Sequence, residues 1–189
     1  SRQVPDTAGT EHARPVVLLL LLSAVAGSSD AISFLGLNGL FTAHITGNIV
    51  VLISHLVASG QAGISQLISV PVFMLVLGLA RLHGLAFEKR GHAMALRMNL
   101  LLHFILLLGF LLLCLPLGRS FDANAPLAVL AGMCGVAAMA VQNVIAQTSM
   151  RGTPSTAVLT SNVTRFTVAM VESLAGPAAL RAGALGEVA

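Results

Sequence analysis

Leu100-Leu101-Leu102-His103-Phe104-Ile105-Leu106-Leu107-Leu108-Gly109-Phe110-Leu111-Leu112-Leu113-Cys114-Leu115-Pro116-Leu117 contains no Asp, Glu, Lys or Arg. A helix that crosses a bilayer needs about 20 mostly apolar residues. The run therefore predicts a span over residues 96–117. Working outward, five more segments come close to the same length: 16–36, 40–58, 67–86, 127–147 and 154–176. The expected fold is all-α, a polytopic transmembrane helix bundle of about six spans. Residues 1–15 read as a polar N-terminal tail, 16–176 as one transmembrane domain and 177–189 as a C-terminal tail. Ala24-Val25-Ala26 also resembles a signal-peptide cleavage site, but the apolar stretch runs on to Leu37 and reaches spanning length.

Composition agrees. Of 189 residues, 56% are hydrophobic and 9% are charged, against about 25% charged in an ordinary soluble domain. So few charges exclude a soluble globular protein and a disordered chain. A net charge of +3 without a long basic run excludes a nucleic-acid binder. Trp and Tyr, the usual interfacial anchors, are absent. The two cysteines, Cys114 and Cys134, lie in apolar segments and form no CxxC pair, so neither a disulfide framework nor a zinc site is expected. No cofactor is implied. Six alternating spans divide the basic residues nearly evenly, with Arg2, Arg14, Arg119 and Arg181 on one side and Arg81, Lys89, Arg90, Arg97 and Arg151 on the other. The densest group, at 81–97, favours the cytoplasm for that connection and the outside for both termini. Connections are short, and Asn38-Gly39 predicts a tight antiparallel hairpin of the first two spans.

Two stretches match each other. His44-Ile45-Thr46-Gly47-Asn48-Ile49-Val50 aligns with Val158-Leu159-Thr160-Ser161-Asn162-Val163-Thr164. Asp30 lies 16 residues before Thr46, and Asn143 lies 17 before Thr160. Helices 1–2 thus resemble helices 5–6, as in a parallel repeat with binding at the repeat interface. Chance recurrence in a chain rich in Ala, Gly and Thr is the other reading.

Ser29-Asp30-Ala31-Ile32-Ser33-Phe34 followed by Leu40-Phe41-Thr42-Ala43-His44-Ile45-Thr46-Gly47-Asn48 resembles the signature of the YoaK-like bacterial membrane proteins, a family of unknown function. Gln142-Asn143 and Leu159-Thr160-Ser161-Asn162 are similar to its second half, so the resemblance covers about residues 20–175. Ile45 replaces a common Met, and Ser161 replaces the second motif's Gly. Family members tend to continue into a further hydrophobic helix, so the resemblance implies a shortened member or a fragment. It implies a multi-pass protein of the bacterial inner membrane and leaves the substrate open.

Polar groups in hydrocarbon are expensive and usually face the bundle interior. Ser23, Gly27 and Ala31 form a small-residue stripe that predicts a close-packed face beside Asp30. Asp30 reads as a proton- or cation-binding carboxylate or as a structural one. His44, Asn48 and His55 share one face of the second predicted helix, with Gly47 weakening it locally, and read as a cavity wall or as interhelical glue. Asn99 and His103 read as a packing pair. Gly132 and Gly135 allow close approach to the fifth helix. Arg165 needs an anion, and Asp30 is the natural candidate.

The function expected first is a small secondary transporter or permease. Its substrate contacts would be Asp30, His44, Thr46, Asn48, Gln142, Asn143, Thr160, Asn162 and Arg165. A structural or regulatory subunit is the alternative. An intramembrane enzyme ranks last, since no catalytic motif is present, and no catalytic or metal-binding residues are expected. The expected partners are the lipid bilayer, a small-molecule or ion substrate and a second copy of the chain, with no nucleic acid.

Overall fold

Among the described residues, helices follow the apolar runs as α1 (Ala8–Gly36), α2 (Ile45–Ser59), α3 (Ile64–Glu88), α4 (His92–Cys114) and α5 (Pro126–Ser149). They come from a computed structural model that describes residues 8–59, 63–88, 90–117, 122, 124–149, 167–168 and 170–171, with no strand among them. α3, α4 and α5 are long and apolar enough to cross a membrane, while Leu20–Gly36 and Ile45–Ala58 are shorter apolar helices.

α5 is the central element. It packs against α1, α3 and α4, and Ala131, Val136, Ala138, Met139, Ala140, Val141, Val144 and Ile145 are buried. Small residues along it let neighbouring backbones come close. α4 is the outer helix, with Leu101, Phe104, Ile105, Leu108, Leu111 and Leu112 exposed. Its inner stripe is Ala95, Asn99, His103 and Phe110, at steps of four, four and seven that keep one helical face. α3 turns Ser65, Gln66, Ser69, Phe73, Leu77 and Arg81 inward. Polar side chains inside and leucines outside are what a bilayer solvent selects.

Three expectations change. The N-terminal tail is helical from Ala8 onward, where Ala8, Glu11, Ala13 and Arg14 are good helix formers. The segment 40–58 is not one helix: Leu40–His44 is non-helical and α2 holds only 15 residues. The stripe of Ser23, Gly27 and Ala31 is exposed rather than packed, and a Cβ built on Gly27 meets nothing within 4 Å. Of the sixth expected span, only Thr167, Val168, Met170 and Val171 are described, and they are helical. Residues 1–7, the second repeat copy at 158–164 and the tail at 177–189 lie outside the described residues.

α1 ends at a left-handed pair, Asn38 (φ 53°) and Gly39 (φ 80°). The Gly39 N–H closes back on the Phe34 carbonyl at 2.9 Å, which satisfies an end carbonyl that the helix leaves free. The Asn38-Gly39 turn is therefore real, but it leads into a non-helical segment and not directly into a helix.

Candidate functional site

The site grows from the break between α1 and α2. The backbone from Phe41 to His44 makes no helix, so its N–H groups need partners inside the bundle. Asp30, on the inner face of α1, takes two of them. Its Oδ1 accepts from the Thr42 N–H at 2.7 Å, the Thr42 hydroxyl at 3.1 Å and the Ala43 N–H at 2.6 Å. Its Oδ2 lies 2.5 Å from His44 Nδ1. A carboxylate only accepts, so that nitrogen carries the proton and donates. Ser29 adds a hydroxyl contact to Thr42 at 3.0 Å, and Ser33 donates back to the Asp30 carbonyl at 3.2 Å.

Asn48 grips the segment from the other side. Its Oδ1 accepts from the Phe41 N–H at 2.7 Å, and its Nδ2 donates to the Phe41 carbonyl at 2.7 Å. The same amide nitrogen donates to Ser69 Oγ on α3 at 2.9 Å. Asn48 is fully buried, and its amide imitates a strand partner for one peptide unit. Gly47 makes room for this arrangement, because a Cβ there would stand 2.7 Å from the Phe41 ring.

α5 forms the floor. A Cβ on Gly132 would stand 2.5 Å from Leu40 Cδ2, and one on Gly135 would stand 2.7 Å from Thr42 Cγ2. These glycines give the close approach that the sequence predicts, and they seat the non-helical segment. Leu40 and Thr42 are fully buried as a result. His44 differs: its side chain is 64% exposed while Asp30 beneath it is 8% exposed. The arrangement is a buried carboxylate holding an exposed imidazole by one nitrogen and leaving the other nitrogen outward.

The residues that build this loop are those of the first family signature, and the comparison with family models agrees. A model described as a protein of unknown function, DUF1275, matches residues 18–186. The chain belongs to the DUF1275 family. The YoaK-like signature is consistent with that membership. No curated protein and no solved structure matches the chain.

In this DUF1275 chain the expected site residues divide. Asp30, His44 and Asn48 come together around the loop. His44 precedes α2 and does not share a helical face with Asn48 and His55. Thr46 is half-buried in the first turn of α2 and takes no part in the network. Gln142 and Asn143 lie seven and eight residues beyond Gly135 on α5, about 10–12 Å along the axis. Gln142 donates from Nε2 to the Leu22 carbonyl at 2.8 Å, and its Oε1 is buried without a partner among the described residues. Asn143 donates to the Met139 carbonyl of its own helix at 3.0 Å. Thr160, Asn162 and Arg165 lie outside the described residues, and with them the Asp30–Arg165 pairing.

Asn99 and His103 behave as packing residues. Asn99 Oδ1 meets His83 Nδ1 at 3.1 Å, and His103 Nδ1 meets the Ala138 carbonyl at 2.9 Å. Sequence reasoning missed Ser29, Thr42 and Ser69 as members of the network. The signal for the first two was their place inside the signature blocks; Ser69 had none, since only folding brings α3 to Asn48.

Proposed function

We propose that the chain is a small secondary transporter or permease of a polar solute or ion in the bacterial inner membrane. The observation that carries this reading is the contact of Asp30 on α1 with His44 on non-helical backbone within the bundle. Irregular backbone at membrane depth is tolerated where it is buried in protein or lines a water-filled cavity, and His44 turns outward from this one. Broken helical segments with polar side chains are a recurrent way of building solute sites in transporters. In this reading His44 is the contact group. Asp30 and Asn48 hold the loop, since their hydrogen-bonding capacity is largely taken by protein.

That saturation favours a second reading, a structural or regulatory subunit whose polar residues are interhelical glue. The two readings part at His44. The full chain in proteoliposomes on a solid-supported membrane is to be challenged with amino acids, organic anions and alkali cations in turn. Transport predicts a current with one of these classes that His44→Ala abolishes while the protein stays folded. A folded protein that gives no current with any class supports the structural reading.

A further inference from the structure

α2 begins well inside the bundle, and its length decides where it can go. Gln66, in the first turn of α3, donates from Nε2 to the Asn38 carbonyl at 2.9 Å, so α3 starts beside the end of α1. The Ile64 N–H reaches Asn124 Oδ1 at 3.3 Å, so the approach to α5 lies at the same end. Three helices then measure how far the loop reaches inward from this Asn38 end. Asp30 is six residues before the end of α1, about 9 Å along its axis. Ser69, the partner of Asn48, is five residues into α3, about 7–8 Å. Gly132 and Gly135, covered by Leu40 and Thr42, are six and nine residues into α5, about 9 and 14 Å.

α2 therefore starts about 10 Å inside the bundle, and its 15 residues make it about 22 Å long. Running on to the far end, it would leave Ser59 about 30 Å from Ile64. The five peptide steps between them span at most about 18 Å. α2 packs along α3 and has to lead back toward the Asn38 end.

We infer that residues 37–59 form a re-entrant element, entering and leaving the membrane on one side, and that His44 at its inner turn is reached by water from that side. The inward N–H groups of the loop are satisfied by Asp30 and Asn48. The His44 ring faces out, and its Nε2 has no partner among the described residues. A polar nitrogen in that position is stable against water and costly against hydrocarbon tails.

The basic residues give independent support. Six full spans divide them four against five. With α2 re-entrant, Arg2, Arg14, Arg81, Lys89, Arg90, Arg97 and Arg151 fall on one side and Arg119 and Arg181 on the other, if the last segment crosses. Seven against two is the asymmetry that the positive-inside rule describes. It places the seven in the cytoplasm and the Asn38 end outside.

The test is cysteine labelling of the full chain in spheroplasts with a membrane-impermeant maleimide, in a Cys114→Ser, Cys134→Ser background. Asn38→Cys, Gln61→Cys and Asp122→Cys are expected to label in intact spheroplasts, and His92→Cys only after permeabilisation. His44→Cys is expected to label from the Asn38 side, more slowly than Asn38→Cys. Asn38→Cys and Gln61→Cys labelling from opposite sides overturns the re-entrant element. His44→Cys that is inert, or that labels from the His92 side, overturns the water access. Ala43→Cys, which keeps the backbone N–H bonded to Asp30, repeats this arm if His44→Cys does not accumulate. A structural subunit would give the same labelling, so this test and the transport test fail separately.

Discussion

Asp30 and His44 are 14 residues apart and meet with Oδ2 and Nδ1 at 2.5 Å across the break between α1 and α2. The other carboxylate oxygen takes the two N–H groups and the hydroxyl that lie between α1 and the imidazole. One side chain thus determines both the path of the backbone and the orientation of the ring. Removing it leaves buried donors without partners. Each such donor costs about 1–3 kcal/mol, so Asp30→Ala is expected to lose several kcal/mol of stability. Asp30→Asn keeps a carbonyl oxygen for the loop and loses the charge that strengthens all four bonds; it is expected to fall between. Thermal unfolding of the full chain in detergent micelles checks the order. An Asp30→Ala protein as stable as the parent would remove Asp30 from its clamping role.

Asn48 uses both ends of its amide, and an isosteric change separates them. Asn48→Asp retains an acceptor for the Phe41 N–H but turns the donor to the Phe41 carbonyl and Ser69 into a second acceptor. Two donated bonds are lost and oxygens are forced together in a buried site. A loss of about 2–4 kcal/mol is expected, in the range for breaking a buried polar network. Measuring Asn48→Asp in a Ser69→Ala background isolates the α3 contact. The coupling between the two sites is expected to be at least about 0.5 kcal/mol, and strict additivity would contradict the contact.

The glycines call for opposite signs. Gly135→Ala drives a Cβ into Thr42, a short branched side chain already fixed by Ser29 and Asp30. Gly132→Ala meets the end of the more flexible Leu40 side chain. Overpacking of a tight site costs about 1–3 kcal/mol, and Gly135→Ala is expected to cost the more of the two. Gly27→Ala has open space around it and gains helix propensity worth about 0.5–1 kcal/mol, so it is expected to stabilise. Unfolding midpoints of the three variants measured side by side test the ranking. A loss at Gly27 would mean that the exposed stripe of α1 is covered by a neighbouring molecule.

The long apolar helices are legible in the sequence through length and apolarity, not through periodicity. Leu100–Leu117 needs no partner to be read. The bounds of α3, α4 and α5 followed within a few residues. The break at Leu40–His44 was hidden for a physical reason. Leu40, Phe41, Ala43 and Ile45 are as apolar as a span requires, and what stops the helix is a carboxylate 12–14 residues earlier in the chain. By sequence Gly47 is a weak point in a helix; in the fold it clears the Phe41 ring at the start of one. Asp30, His44 and Asn48 were found together because intramembrane polar residues are few. Their division into two supports and one exposed group depended on distances that no spacing encodes.

Gln142 tests whether a buried polar residue must be structural. Its Nε2 bonds the Leu22 carbonyl, which lies within α1 and is already a helix acceptor, and its Oε1 is buried with no donor among the described residues. The bond gained and the acceptor left bare nearly offset each other, since an unsatisfied buried group costs about as much as a hydrogen bond returns. Gln142→Met fills a similar volume without that oxygen, so its unfolding free energy is expected to lie within about 1 kcal/mol of the parent. A stability change this small, joined to loss of the solute-dependent current, would assign the bare oxygen to the solute. A large loss of stability would make Gln142 a fixed bridge between α1 and α5 and leave His44 as the contact group of the proposed transport.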